Sequence, residues 1–194
     1  MDYRQEQLAN QEMVRGYLEA ADPQEKTGLL QACHEYLRFR KEVDAFQTRF
    51  FAARCHAACF QQQRSACCNK DGIITSFADL VVNALVSMPP ELEALVHGLR
   101  HPRGDMKCLY LGPGGCRWRI KPIVCEMFVC DAAKEAVFGR CEGAEEGWAR
   151  LKKRELTFRW PDRPVFFDAV EARFLAAGIR SSLMYLHNSP GLLR

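Results

Sequence analysis

Apolar side chains recur every three to four positions along most of the chain, and that period predicts a helical protein. Residues 3 to 20 read as a first helix that ends before "DPQ". Asp22-Pro23 opens a second, with Pro23 suited to its first position because the missing N–H has no intrahelical partner there. Within it Phe39, Val43, Phe46 and Phe50 follow steps of four, three and four, so they share one face. A helix continuing to residue 59 would place Cys55 and Cys59 one turn apart on a common face. Ser76-x-x-Asp79 reads as a capping box, opening a helix with Leu80, Val81, Ala84 and Leu85 inside. Pro89-Pro90 breaks that helix, and Pro90 suits the start of a short helix to Leu99. Further helices are expected at 131–140, 143–157, 164–178 and 181–187.

The period fails in the middle of the chain. Asp71-Gly72 marks a turn and "HPRGD" a loop. "KCLYLGPGGCRWRI" has β-prone residues on either side of Gly112-Pro113-Gly114-Gly115, which predicts a small hairpin. A phosphate-binding loop would end in Lys-Ser/Thr and run into a helix, and this stretch does neither. Pro122 sets the entry to a short helical turn carrying Cys125. The expected architecture is mainly α: a single helical domain with a small β-hairpin and a cysteine-rich metal-binding centre. N-terminal helices (1–54) and C-terminal helices (131–194) flank a cysteine-rich core (55–130).

Composition narrows the class. Of 194 residues, 48% are hydrophobic and 26% charged, which is globular. The net charge of +3 is too small to imply a nucleic-acid partner. The start "MDYRQEQLANQEMV" has no apolar secretory core. The most apolar stretch, "FADLVVNALVSM", is short and carries Asp79 and Asn83, so no membrane span is expected. The resulting expectation is a cytoplasmic protein.

In a reducing compartment the ten cysteines read as metal ligands before disulfides. Eight form two groups of four: Cys55, Cys59, Cys67 and Cys68, then Cys108, Cys116, Cys125 and Cys130. Adjacent Cys67 and Cys68 diverge, because successive side chains point in different directions. That suits a bulky cluster or two sites better than one small ion. Short zinc knuckles are absent. Arg64, Lys70, Arg117, Arg119 and Lys121 lie near the thiols in sequence and would offset thiolate charge. The alternatives are an iron–sulfur cluster, of 4Fe–4S type, or zinc. Cys33, beside Leu29, Leu30 and Leu37, reads as core, and Cys141 in "GRCEG" as a spare thiol. The five histidines, His34, His56, His97, His101 and His187, are read as lacking a paired metal spacing, with His56 a polar neighbour of Cys55. "ARLKKREL" reads as a solvated basic face, with an acidic partner or anionic cofactor as the alternative. Phe166, Phe167 and Phe174 read as core.

"CHAACFQQQRSACC", then "DGIITSFADL", then "CLYLGPGGCRWRIKPIVCEMF" together resemble the CxxCxxCC, or YkgJ-type, family, described as a zinc- or iron-chelating domain. Gly115-Cys116, Ile120, Lys121-Pro122 and Cys125 match the frame of that family's second segment, and the resemblance spans about residues 55 to 130. The first cluster is stretched relative to the family, Arg-Pro has become Lys-Pro, and Cys-Arg has become Cys-Glu. The flagellin lysine N-methylases, distant and longer relatives, are associated by that resemblance with an iron–sulfur cluster and S-adenosylmethionine. The resemblance implies a metal-binding protein whose cluster supports redox or methyl-transfer chemistry. The alternatives are a non-catalytic zinc-stabilised module that binds a protein partner and a metal carrier. Few large apolar residues stand near the thiols, so hydrophobic burial across 55–130 is expected to be modest.

Overall fold

A computed structural model describes residues 2–61, 74–102, 108–159 and 165–188, without the side chains of Cys59 and Phe60. Helix α1 is Tyr3–Ala20 and α2 is Pro23–Phe50. Each is opened by an aspartate whose carboxylate accepts an N–H of its own first turn: Asp2 from Gln5 and Asp22 from Glu25, both at 2.8 Å. The 28 residues of α2 make a rod of about 42 Å. It does not run on to residue 59. A break at Phe51 is followed by α3 (Ala52–Cys55) and a π turn (His56–Phe60), closed by a bond from the Gln61 N–H to the His56 carbonyl. Phe51 is itself buried against Phe46, Phe138 and Trp148, so the break lets one more aromatic ring reach the core.

Helix α4 (Phe77–Val86) is the centre of the molecule. Every residue from Phe77 to Ala84 is buried, as expected of a helix apolar nearly all round. It packs against α1, α2 and α9 (Phe166–Ala176). Helix α5 (Pro89–Arg100) starts at the first proline of the pair and packs back on α1. The hairpin is minimal: β1 (Leu111–Gly112) pairs antiparallel with β2 (Gly115–Cys116), Leu111 opposite Cys116. Helices α6 (Ile123–Glu126), α7 (Asp131–Phe138) and α8 (Ala144–Arg159) follow, with α8 lying against α2, α7 and α9.

The expected helix over 181–187 is a single turn, α10 (Tyr185–Asn188). The reason is local. The Ser181 hydroxyl accepts the Leu183 N–H at 3.0 Å, a side-chain turn that competes with helix. The mainly α architecture with a small hairpin is as the periodicity predicts. The expectation of modest burial in the middle of the chain is not met. Besides α4, Tyr110, Trp118, Ile123, Met127 and Val129 are all buried, because the hairpin and α6 lie on the helices rather than standing apart from them. No described helix is long and apolar enough to cross a membrane.

Candidate functional site

The second cysteine group lies on a segment that the helices grip from two sides. Asp79 and Asn83, one turn apart on α4, both face it. Asp79 Oδ1 accepts the Ile123 N–H and Asn83 Oδ1 accepts the Ile120 N–H, each at 3.0 Å. The other Asp79 oxygen caps its own helix, accepting the Ser76 N–H at 3.1 Å and the Ser76 hydroxyl at 2.7 Å. One carboxylate therefore starts α4 and fixes the entry to α6. Burial pushes the Asp79 carboxyl above its ordinary range, an effect opposed by the Arg40 guanidinium and these hydrogen bonds. Helix α2 grips from the other side. Buried Arg40 donates to the Lys121 carbonyl at 2.6 Å and to the Tyr36 hydroxyl at 2.9 Å, with Glu126 Oε2 at 3.8 Å. Gln47 donates to the Glu126 carbonyl at 2.9 Å. On the outer side, Arg119 pairs with Glu91 of α5, and Arg117 lies against Gly98 of α5 and Gly112 of β1, where a side chain on Gly98 would collide with it.

Three thiols of this group share one electrostatic neighbourhood. Cys108, buried, precedes the hairpin, with its carbonyl accepting the Leu111 N–H at 3.1 Å. Cys116 is exposed on β2, and Cys125 is half-buried on α6. The Tyr3 phenol is raised above its usual range by burial and then by the charges of Cys108 and Cys125. Burial likewise raises the Tyr110 phenol, with Tyr3, Cys108 and Cys116 adding to it. Burial pulls the Lys121 ammonium down, but the Glu126 carboxylate at 3.3 Å, with Cys116 contributing, holds it above its ordinary value. The thiols thus come from a loop, a strand and a helical turn, Cys108 and Cys125 acting on Tyr3 of α1 and Cys108 and Cys116 on Tyr110.

Cys130 lies elsewhere. It opens α7 and lines a recess of about 300 Å³ with Trp148, Lys134 and Lys152. Cys55 ends α3 and packs against the edge of the core. Cys59 falls in the π turn, while its side chain, together with Cys67, Cys68 and the Asp71-Gly72 turn, lies outside the described residues, as do Arg64 and Lys70. Cys33 is core, and burial pushes its thiol up to about 11. Cys141 is half-buried between α7 and α8.

The helix α1 contribution has no counterpart in the sequence reading. Gln7, Asn10 and Gln11 are all buried on one helical face. Gln7 Oε1 accepts from the Tyr110 hydroxyl at 2.5 Å and from the Thr75 hydroxyl at 2.7 Å. Its own Nε2 and the Trp118 indole N–H are buried without a hydrogen-bond partner among the described residues, while the Gln11 amide acts on the Tyr110 hydroxyl and opposes the rise of that phenol. The signal for this face was amides at i, i+3 and i+4 where an apolar stripe would be expected. His97 and His101 stand four apart at the end of α5, and their rings stack at 4.4 Å.

The described residues do not by themselves complete a metal site. Among them no group of three or more Cys, His, Asp or Glu side chains is placed to hold an ion. Comparison of the chain with family models, curated proteins and solved structures gave no match.

Proposed function

We propose that this protein binds a metal centre, an iron–sulfur cluster or zinc, through thiolates of its two cysteine groups. One observation carries the reading. Cys108, Cys116 and Cys125 come from three different local structures, yet Cys108 acts on both Tyr3 of α1 and Tyr110, with Cys125 also acting on Tyr3 and Cys116 on Tyr110. Soft thiolates are the ligand type that iron–sulfur clusters and zinc share. The sequence adds Cys55, Cys59, Cys67 and Cys68 as the complementary group, in the order of the family it resembles. Cys130 is the outlying member, since its recess is formed with Trp148. When bound, an iron–sulfur centre would supply redox capacity, and zinc a structural tie. The chain's own part is to hold Cys116 and Cys125 through the Asp79, Asn83 and Arg40 grips, and to place Lys121 against thiolate charge. Redox or methyl-transfer chemistry belongs to the first alternative. Binding of a protein partner or carriage of metal belongs to the second.

Metal analysis and visible absorption of protein purified without oxygen test the reading. Iron–thiolate transitions give colour, whereas zinc's filled shell gives none. Stoichiometric iron with visible bands supports the cluster, and stoichiometric zinc in colourless protein supports the tie. Protein holding neither metal after expression with both supplied would defeat the proposal. Cys116→Ser and Cys125→Ser, like Cys59→Ser and Cys68→Ser, are expected to lower metal content. Cys33→Ser and Cys141→Ser are not.

A further inference from the structure

The basic run of α8 is divided by the fold. Lys152 turns to Glu155 and to the Trp148 ring. Arg150 and Arg154, one turn apart, instead line an open cleft of about 630 Å³ between α2 and α8, within the range of small-molecule sites. Gly147 lines it, and a Cβ there would stand 2.8 Å from the Phe46 ring, so the absent side chain lets that ring lie directly on α8. Phe46 and Phe50 form the apolar wall, their ring centroids 4.6 Å apart. Arg49 lies over the Phe50 ring at 4.8 Å.

The charges in this cleft are unequal. Arg154 is neutralised by Glu42 across it. Arg49 and Arg150 have no carboxylate partner among the described residues, and Glu142 is the remaining acid on the rim. Two guanidiniums beside a pair of rings form a recognisable combination. Planar guanidinium forks match phosphate oxygens, and aromatic rings pack a flat ring edge-to-face as well as by stacking.

We propose that the α2–α8 cleft is a binding site for a small ligand carrying a phosphate on a flat ring, the class of nucleoside monophosphates. The ring lies along Phe46 and Phe50, whose faces are shared with Trp148 and Arg49, the phosphate meets Arg49 and Arg150, and Glu142 accepts a hydroxyl or amino hydrogen from the ligand. The site is independent of the cysteines and does not need metal.

Calorimetric titration of the purified full chain with AMP, adenosine and inorganic phosphate tests this at low and moderate salt. AMP is expected to bind saturably, at least about ten-fold tighter than adenosine or phosphate alone, because both halves of the cleft are then engaged. Binding should weaken with added salt, as exposed charge pairs do. Arg150→Gln and the double variant Arg49→Gln/Arg150→Gln should reduce AMP affinity to that of adenosine, with an unchanged melting temperature. These are surface positions, so both variants are expected to fold. Absence of saturable AMP binding would overturn the proposal. So would AMP binding no tighter than adenosine or phosphate, or a double variant that binds AMP like the parent.

Discussion

At the scale of single residues, the least conspicuous thiol gives a clean pH test. Cys33 is buried and its thiol is pushed up to about 11 from an ordinary value of 9.0. Between those values the folded state holds a proton that the unfolded state has lost. Stability therefore falls as pH rises past 9 and levels off above about 11. Denaturant titrations of the parent and of Cys33→Ala from pH 8 to 11.5 should show the difference in stability between them shrinking across that window. A constant difference would mean that this thiol is no more protected than in the unfolded chain. Asp79 is the opposite kind of residue, buried and serving several partners. Asp79→Ala leaves the Ser76 and Ile123 N–H groups without their acceptor and removes a carboxylate whose charge interacts with Arg40, and is expected to cost about 2–4 kcal/mol. Chemical denaturation measures that loss. Asp79→Asn keeps one acceptor oxygen for Ile123 but turns N–H groups toward the Ser76 donors, so it should fall between the two.

Among the described elements, α4 is buried along almost its whole length, whereas α8 keeps a solvent-facing side. Leu80 is fully buried between helices, so Leu80→Ala should cost about 2–5 kcal/mol. Leu156, 44% exposed on α8, should be nearly neutral on the same change, within about 0.5 kcal/mol. A thermal-melt comparison of the two variants would reveal a mistaken placement of α4 if the order were reversed. The hairpin is too short to be stable alone, with two residues in each strand. It holds because Tyr110 packs edge-to-face on Trp118 at 5.1 Å and hydrogen-bonds to Gln7 of α1. The π turn after Cys55 belongs to this scale too. A uniform α-helix was the natural extension of the pattern from Phe39 to Phe50, and burial of Phe51 interrupts it.

For the molecule as a whole, the segment bearing Cys108, Cys116 and Cys125 is held by protein contacts in its own right. Buried Tyr110, Trp118, Ile123 and Met127, with the grips from Arg40, Asp79 and Asn83, supply a core that metal is not needed to create. Hydrogen exchange after metal removal should therefore leave amides of residues 77–100 and 118–127 protected to within about ten-fold. Collapse of that protection would mean that metal–thiolate bonding, rather than this packing, maintains the central fold.

Period and punctuation alone made the helices legible. Asp-Pro at the head of α2, the capping box at Ser76, and glycines and a proline at the hairpin turn act within a few residues, so they can be read without knowing what lies opposite. The core role of Cys33 followed in the same way from its leucine neighbours. The division of eight cysteines into two groups of four was also visible, because spacing along the chain is a local property. Contacts distant in sequence were not. Nothing near Asp79 or Asn83 indicates that they hold residues 120–123, and the amide face of α1 has no meaning until Tyr110 and Thr75 are placed against it. The division of the α8 basic run between a paired face and an open cleft is visible only with Gly147 set against Phe46 of α2. Each of these arrangements joins helices or loops far apart in the chain. Burial then gives a polar side chain its partner or its perturbed charge, and burial is a property of packed elements rather than of any stretch of residues.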